Sequence, residues 1–306
     1  MNNLYVIGSL NMDLVGRSPR FVEPGETLMG GTFGQYPGGK GANQAVALAR
    51  LGGKPLLIGA LGDDTFGRAY REILGAEGID DRNIVTKKGS ATGVAMIEVA
   101  ETGENRILVL PGANTQLTPE DVLPALAKLQ PGDLVLMQLE IALATVIALI
   151  PAIHARGGRV ILDPAPAAVL PKLVLQNVDI MTPNQTEAQL MAGITSAEAL
   201  AVDLTPARVL CDLGIPVVVQ KAGRHGAWWV QKGLEKQFPA FPVTVVDTTA
   251  AGDTFNAGLA LALAQGKPLE EAMTWANAAA ALSTTKHGAQ AGMPTWNEVQ
   301  NFLAQR

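Results

Sequence analysis

The stretch that decides the fold is Val245-Val246-Asp247-Thr248-Thr249-Ala250-Ala251-Gly252-Asp253-Thr254-Phe255-Asn256-Ala257-Gly258. An apolar run ends, a loop of small residues follows, and an Ala-rich helical pattern begins near Gly252. Backbone N–H groups at the start of a helix have no intrahelical acceptors, so they form a ready site for an anion. The stretch therefore predicts a strand, a turn and a helix start arranged around an anion.

Asp253 lies in the first turn of that helix, where it would share the site with a bound phosphate. The two negative charges are compatible if the carboxylate accepts a proton from a substrate hydroxyl while the amides hold the phosphoryl group in transfer. The alternative is a first-turn acid that only stabilises the helix, worth about 0.5–2 kcal/mol. The spacing by itself leaves both interpretations open.

A second glycine-rich segment, Pro37-Gly38-Gly39-Lys40-Gly41-Ala42-Asn43-Gln44, lies near the amino terminus. Its glycines permit a ligand to approach the backbone closely, and Lys40 and Asn43 supply polar groups at a helix start. The spacing is not that of a Walker A loop. Taken alone, the segment is also typical of an ordinary turn between a strand and a helix.

Short aliphatic runs alternate with longer helical patterns over most of the chain. The predicted strands are Leu4–Gly8, Leu56–Ala60, Leu134–Leu139, Val160–Asp163, Asp179–Thr182, Val217–Lys221, Ala227–Gln231 and Val243–Val246. The predicted helices are Gly41–Leu51, Phe66–Glu77, Pro119–Leu129, Ala144–Ala155, Pro206–Leu213, Gly252–Gln265 and Leu269–Ser283. This alternation predicts an α/β fold with a doubly wound, mainly parallel sheet flanked by helices.

Two pairs of strand-like runs lack an intervening helix. They are Asp13–Arg17 with Gly30–Tyr36, and Gly93–Val99 with Asn105–Leu110. Since they do not fit a continuous parallel sheet, we expect a small β-sheet lid, built from inserted segments at about 13–36 and 92–110. No linker or repeat interrupts the sequence, so residues 1–306 are expected to form a single domain.

Composition excludes several classes of protein. The 306 residues are 48% hydrophobic with a net charge of −5 and no block of like charges, so neither nucleic acid nor a membrane is an expected partner. One cysteine, Cys211, rules out an intramolecular disulfide framework. The amino terminus has no basic region like that of a signal peptide. These features predict a cytoplasmic protein with a small-molecule substrate.

Polar residues follow several of the predicted strands. Asn11 and Asp13 come after the first strand, Glu140 ends another, and Asn184 and Glu187 follow a third. In open α/β sheets, ligands bind at the carboxyl ends of the strands, so these residues are candidates for one site. Each is individually typical of a loop. The turn Lys221-Ala222-Gly223-Arg224-His225-Gly226 could hold a nucleotide phosphate or ribose, although a plain β-turn is the favoured interpretation.

Together, the two glycine-rich segments resemble the paired signatures of the ribokinase-like carbohydrate kinases, the phosphofructokinase-B type. The resemblance covers essentially the whole chain and also includes Gly8–Asp13, Met137–Glu140, Asp163–Pro166 and Thr182–Glu187. Within that family, the chain is most similar to the enzymes that phosphorylate ribose. Two distant motifs in the correct order are far more specific than either motif alone.

The resemblance implies ATP-dependent phosphorylation of the 5-hydroxyl of D-ribose. It implies that Asp253 is the general base and that Ala250, Ala251 and Gly252 contribute to an amide hole for the phosphoryl group. The residues matching the family's sugar site are Asn11, Asp13, Gly39, Lys40, Gly41, Asn43 and Glu140. Those matching its nucleotide site are Asn184, Glu187, Lys221, Gly223, Arg224, His225, Gly226, Gly252 and Asn277.

The family also implies two cations. Glu187 matches the residue associated with Mg²⁺ and phosphate binding. A monovalent-cation site, usually occupied by K⁺, would order the amide hole without touching the sugar. The residues matching this site are Asp247, Thr249, Ser283, Lys286, Gly288 and Gly292, mostly through backbone carbonyls on the carboxyl-terminal side.

The chain departs from the family pattern at several positions. Lys221 replaces a frequent Thr, so its side chain either approaches the nucleotide phosphates or points to solvent. Asp163 replaces a frequent Asn and carries no functional prediction. The ending Ala291-Gly292-Met293 replaces a Pro- or Ser-containing one, which bears on the last cation ligand. Asn277 lies where relatives carry Asn or His.

Other functions remain open at this point. A 2-deoxyribose kinase or another carbohydrate kinase would use the same scaffold, although the amide of Asn11 favours ribose over the deoxy sugar. A non-catalytic sugar- or nucleotide-binding protein is a further alternative. A dehydrogenase is disfavoured because Gly8-Ser9-Leu10-Asn11 is not G-x-G-x-x-G. Members of the family commonly dimerise through the lid, so a homodimer is expected.

Overall fold

The computed structural model of the chain describes residues 2–194 and 202–305. Those residues form thirteen strands, β1 (Leu4–Ile7), β2 (Asn11–Ser18), β3 (Phe33–Gly38), β4 (Pro55–Gly62), β5 (Ile84–Lys87), β6 (Gly93–Ala100), β7 (Asn105–Leu110), β8 (Leu134–Gln138), β9 (Arg159–Asp163), β10 (Ile180–Met181), β11 (Val217–Lys221), β12 (Ala227–Gln231) and β13 (Leu234–Phe238). They also form eleven α-helices, α1 (Lys40–Arg50), α2 (Thr65–Ala76), α3 (Pro119–Val122), α4 (Leu143–His154), α5 (Lys172–Leu175), α6 (Gln185–Ala192), α7 (Thr205–Asp212), α8 (Ala251–Ala264), α9 (Leu269–Ser283), α10 (Ala289–Gly292) and α11 (Trp296–Ala304).

The larger sheet has nine strands in the order β13-β12-β11-β10-β9-β8-β1-β4-β5. Every neighbouring pair from β11 to β5 is parallel, whereas β12 and β13 add an antiparallel edge. Side chains of β1 alternate between the faces: Leu4 and Val6 join one core cluster, and Tyr5 and Ile7 join the other. The predicted doubly wound, mainly parallel sheet is confirmed.

Helices cover both faces of this sheet. One core cluster contains the apolar faces of α1, α8, α9 and α11, and the other contains those of α4, α6 and α7. In α8 and α9, Ala and Gly side chains allow close approach; a β-carbon on Gly258 would lie 3.1 Å from the backbone of Ala276. No helix within residues 2–194 and 202–305 is long and apolar enough to cross a membrane.

The smaller sheet, which we call the lid sheet, consists of β3, β2, β6 and β7 in that order. Strands β2 and β6 are parallel, and the two outer pairs are antiparallel. Pairing of Asn11 with Gly38 joins the start of β2 to the end of β3, next to the first turn of α1. The lid sheet thus begins directly beside the glycine-rich segment at residues 37–44.

Several elements differ from the sequence prediction, and helices α5, α6, α10 and α11 were not predicted. The segment Val243–Val246 is not a strand, and Val245 and Val246 are exposed; the edge strand is instead the more polar β13. The amides of Val246 and Asp247 donate instead to the carbonyl of Thr284, just after α9, so this segment pairs with a helix end and not with a strand. The predicted helix Pro119–Leu129 is divided into α3 and a 3-10 turn (Ala125–Lys128) around Pro124. Strand β5 was not predicted.

Candidate active site

The site lies where the parallel strands of the large sheet end. Because these strands run in one direction, the residues at or just after the ends of β8, β9, β10 and β11 reach the same edge. They are Glu140, Asp163, Asn184 and Lys221, and an isolated bridge pairs Asn184 with Lys221. This edge faces the first turns of α1 and α8, which carry Lys40 and Asp253.

Asp253 is 6% exposed, in the first turn of α8. Each of its carboxylate oxygens accepts a side-chain amide: Oδ2 from Asn43 at 3.0 Å and Oδ1 from Gln44 at 3.1 Å. Burial raises the pKa of Asp253 to about 6; Lys40 and the two amides lower it, while Asp163 raises it further. A carboxylate that is ionised at neutral pH, with an affinity for protons higher than usual, is suited to general-base chemistry.

Backbone amides are available next to this carboxylate. Ala250 precedes α8 with φ 59° and is the non-glycine residue with a left-handed backbone in the described part of the chain. The N–H of Ala251 bonds to the carbonyl of Thr248 at 3.2 Å, and that of Thr254 bonds to the carbonyl of Ala250 at 2.9 Å. The amides of Gly252 and Asp253 have no backbone acceptor among the described residues. The start of α8 therefore offers two free donors to an anion.

Close backbone contacts hold the first turn of α1 against the end of β1. Gly39 has φ 87°, and a β-carbon on Gly41 would lie 2.5 Å from the carbonyl carbon of Gly8. This approach brings the amide of Lys40 to 3.2 Å from Oε2 of Glu140, while its ammonium lies 3.6 Å from Oε1. The two glycines are required by the fold at this junction, and they place Lys40 at the strand edge.

Asp13 and Asn11 reach the same place from β2. The Asp13 carboxylate is half-buried against the backbone of Gly38. Burial raises the pKa of Asp13 to about 7, with a further rise from Glu140 and an opposing effect of Lys40. The buried Asn11 accepts a hydrogen bond from Asn114 at 2.8 Å, which orients its amide.

The charge of Lys40 is stabilised in this acidic surrounding. Its burial disfavours the ammonium form, yet the carboxylates of Asp253 and Glu140 raise its pKa above the ordinary lysine value. Lys40 therefore favours its charged form at the strand edge, near Asp253 and Glu140.

Two further amides orient the pair that holds Asp253. Gln290 donates from Nε2 to the carbonyl oxygen of Asn43 at 3.2 Å, and Gln138 donates to that of Gln44 at 2.7 Å. These donors turn the NH₂ groups of Asn43 and Gln44 toward Asp253. No role for Gln44, Gln138 or Gln290 was predicted from the sequence, although Gln44 directly follows a predicted site residue.

The part of the site that the resemblance assigns to the nucleotide contains a largely buried ion pair. The ammonium of Lys221 lies 2.8 Å from Oδ1 of Asp163, whose other oxygen accepts from Gln44 at 3.1 Å. Lys221 therefore does not point to solvent, which was one of the two orientations left open. Asn184 and Glu187 form a capping box at the start of α6. Burial raises the pKa of Glu187, with Lys221 opposing.

The predicted nucleotide turn and Asn277 also come together. Gly223, Arg224 and His225 form an exposed 3-10 turn, and Gly226 packs against the carbonyl of Phe238. Asn277 donates to that same carbonyl at 2.9 Å from α9. Its amide thus fixes the end of β13 beside the turn.

The predicted cation residues converge on the loop before α8. One oxygen of Asp247 accepts from the amide and hydroxyl of Thr249, and the other accepts from the amide of Gly288 at 2.9 Å. Burial raises the pKa of Asp247, but these hydrogen bonds lower it more, so that the pKa lies below its usual value. A β-carbon on Gly292 would lie 2.8 Å from the carbonyl oxygen of Ser283 and 3.4 Å from that of Lys286. Two carbonyl oxygens and a glycine thus form a cradle that fits a hard cation.

A divalent cation would have fewer protein ligands. Within the described ranges, no group of three His, Cys, Asp or Glu side chains is arranged to hold a metal ion. Mg²⁺ commonly binds one or two carboxylates together with substrate phosphates. The carboxylates of Glu187 and Asp163 are close enough to interact electrostatically, so this pair fits that pattern. The donor set is compatible with Mg²⁺ delivered with a nucleotide.

Comparison with known proteins agrees with this geometry. The pfkB family carbohydrate kinase pattern matches residues 1–296, and the chain belongs to that family. It is 42% identical over 300 residues to a ribokinase of Haemophilus influenzae, covering 98% of both chains. It is 35% identical to a deoxyribokinase of Salmonella typhi, covering 99% of both. The structure of Arabidopsis thaliana ribokinase complexed with ribose and ATP superimposes with a TM-score of 0.90 at 33% identity, covering 99% of this chain and 98% of that one.

Proposed function

We propose that the protein is an ATP-dependent kinase that phosphorylates the 5-hydroxyl of D-ribose. The observation that carries the proposal is a buried carboxylate, Asp253, beside two free amides at the start of α8. A base and an anion site formed by the same turn of backbone suit phosphoryl transfer to an alcohol. The ribokinase relative and the ribose- and ATP-bound neighbour support the choice of substrates.

A polyol fits the other side of the site. The proposed sugar-binding residues are Asn11, Asp13, Gly39, Lys40, Gly41, Asn43 and Glu140, and they combine acceptors with donors. Buried groups of this kind reject a substrate that lacks a hydroxyl, because a polar partner is then left unpaired. The amide of Asn11 favours ribose over 2-deoxyribose for the same reason. The deoxyribokinase relative makes 2-deoxyribose the second candidate.

In the proposed reaction, Asp253 accepts the proton of the hydroxyl whose oxygen attacks the terminal phosphorus of ATP. The amides of Gly252 and Asp253 stabilise the charge on the transferred group, at the position that Ala250 and Ala251 define. Lys40 supplies a positive charge on the sugar side. A positioned base contributes roughly 10²–10⁴-fold, and loss of one oxyanion donor costs about 10²–10³-fold.

On the nucleotide side, the proposal assigns Asn184, Lys221, Gly223, Arg224, His225, Gly226 and Asn277 to ATP. Glu187 would interact with the Mg²⁺ ion that arrives bound to the nucleotide phosphates. When bound, Mg²⁺ neutralises charge on the phosphates. The exposed turn at Gly223–His225 leaves room for a nucleotide to approach from solvent.

The proposed K⁺ site comprises Asp247, Thr249, Ser283, Lys286, Gly288 and Gly292. Its support is the cradle of carbonyl oxygens at Gly292, together with the bond from Gly288 to Asp247. Asp247 lies three residues before Ala250, so the cradle is continuous with the loop that forms the amide hole. We expect K⁺ to order that loop and raise kcat, and equal rates in choline and potassium buffers would exclude this role.

We also propose that the lid sheet is an inserted part of a single domain and closes over the sugar. Strand β7 exposes Ile107, Leu108, Val109 and Leu110. An apolar sheet surface of this kind is suited to a second copy of the chain, so the proposal includes a homodimer. Light scattering should give twice the chain mass, and Ile107→Glu should give the single mass. The cytoplasmic location stays a prediction.

The test is a coupled ADP-release assay over ribose, 2-deoxyribose, fructose and adenosine, with and without potassium. The highest kcat/KM is expected on ribose, with stimulation by potassium. A higher value on 2-deoxyribose would establish the second candidate instead. Binding of ribose and ATP without ADP release from any sugar would show a non-catalytic binding protein.

A further inference from the structure

A largely buried ion pair joins the ends of two strands, β9 and β11, in the candidate site. Lys221, at the end of β11, places its ammonium 2.8 Å from the carboxylate of Asp163, at the end of β9. The side chains are only 16% and 5% exposed. Isolated charges in such a position are costly, so each residue requires the other or a replacement ligand.

The ammonium also lies beside the anion-binding start of α8. A β-carbon added to Gly252 would be 3.4 Å from Nζ of Lys221, closer than to any other atom outside its chain neighbours and helix. Gly252 contributes one of the two free amides, so Nζ and that amide face the same small volume. A lysine at a helix start adds a full positive charge to the partial charge of the amides.

A second ammonium, that of Lys40, interacts with the same carboxylates as the ammonium of Lys221. The carboxylates of Asp163 and Glu187 are within electrostatic reach of both Lys40 and Lys221. Lys40 lies toward the sugar residue Glu140, and Lys221 lies toward Asn184 on the nucleotide side. A phosphoryl group in transfer between nucleotide and sugar would then have Lys221 on the nucleotide side and Lys40 on the sugar side.

We propose that Lys221 is a catalytic residue, held by Asp163 over the start of α8 until its ammonium binds the phosphoryl group in transfer. The inference rests on the proposed kinase function. The bond between the terminal phosphorus and the bridging oxygen of ATP breaks, and its electron pair leaves with ADP. The bond from the sugar oxygen forms, its proton passes to Asp253, and Lys221 remains protonated throughout. Asp163 is a positioning residue.

A structural role makes a different prediction. If Lys221 served only to neutralise Asp163, removing both charges would restore a functional site. In the proposed role the ammonium itself is needed, so the double variant should be as slow as the single one. The double variant Asp163→Asn/Lys221→Met removes both charges of the ion pair. It is therefore not destabilised by an unpaired buried charge, as the single variant Lys221→Met would be.

The experiment measures kcat and KM for Lys221→Met, Asp163→Asn and the double variant, with Lys232→Met as control. Lys232 is exposed in the turn between β12 and β13, at the end of the hairpin away from the site. Lys221→Met and the double variant should each lose about 100-fold in kcat. Asp163→Asn should lose less than tenfold, and the KM for ribose should change less than threefold.

A binding measurement provides a second readout. The probe is ADP with aluminium fluoride and ribose, which imitates the phosphoryl group in transfer. The double variant should bind it about 100-fold more weakly, while its affinity for ADP alone changes less than threefold. Equal losses for both probes would overturn a role confined to the transferred group.

Recovery of the double variant to within tenfold of wild-type kcat would overturn the inference, as would a Lys221→Met enzyme that retains a third of wild-type kcat. Both outcomes leave the proposed function intact, because the wild type remains active. Failure of the wild type to phosphorylate any sugar would overturn the proposed function, and this inference with it.

Discussion

The buried charge of Asp253 makes the folded protein less stable at neutral pH. Its pKa is about 6 in the fold and 3.8 as an ordinary side chain, with burial as the main cause. Between these values the native state binds the proton that the unfolded state has released, so stability falls as pH rises through this window. A difference of about two units corresponds to a cost of about 3 kcal/mol above pH 6.

Replacing Asp253 by Asn removes this titration. The substitution also weakens the hydrogen bonds from Asn43 and Gln44 to residue 253, which changes stability by an amount independent of pH. The pH-dependent part of the stability difference therefore reports the charge of Asp253 alone. The difference in unfolding free energy between variant and wild type should therefore shift by about 2.4 kcal/mol in favour of the variant between pH 4 and pH 7.

Urea unfolding followed by circular dichroism across this range provides the measurement. Asp212→Asn, at an exposed position at the end of α7, is the matched control, and its difference from wild type should stay within about 0.5 kcal/mol. A difference between Asp253→Asn and wild type that is constant with pH, or that shifts toward the wild type, would refute the reasoning.

Three other outcomes follow from the site. A base must be ionised, so kcat/KM should decrease as the pH falls below about 6. Because the charge of Lys40 lowers the pKa of Asp253, Lys40→Met should shift this acidic decrease in the pH–rate profile to higher pH. An unshifted profile would contradict the electrostatic interaction between Lys40 and Asp253. Gln290→Glu, once ionised, cannot donate to Asn43 and should turn that amide away from Asp253, lowering kcat about 10–100-fold; unchanged kcat would show that Gln290 does not orient Asn43. Gly41→Ala would force a β-carbon to 2.5 Å from backbone and should cost about 1–3 kcal/mol in urea unfolding, and no loss would show that α1 can shift.

Sequence patterns predicted those parts of the fold that local chemistry determines. The aliphatic runs of β1, β8, β9 and β11 are buried on both faces, so their composition is sufficient to identify them. The strand β13, with the sequence Leu-Glu-Lys-Gln-Phe, is an exposed edge and lacks that composition. Val243–Val246 has the composition of a strand, but the amide of Val246 donates to the carbonyl of Thr284, just after α9, and not to a neighbouring strand.

The site divides in a similar way. Asp253, Lys40 and Asn43 lie in glycine-rich segments, and such segments are typical of tight turns where a ligand approaches the backbone. The location of these three residues at a site was therefore predictable from the sequence. Gln290 lies 247 residues from Asn43, and no local pattern indicates that contact. Asp163 and Lys221 each looked like an isolated departure from the family pattern, and only the fold shows that they pair.

The most direct test of the central claim is the turnover of Asp253→Asn with ribose and ATP. We expect kcat to fall about 10²–10⁴-fold, because the base is lost, while calorimetry gives dissociation constants for ribose and ATP within a few-fold of the wild type. An Asp253→Asn enzyme that turns over within tenfold of the wild-type rate would contradict the account.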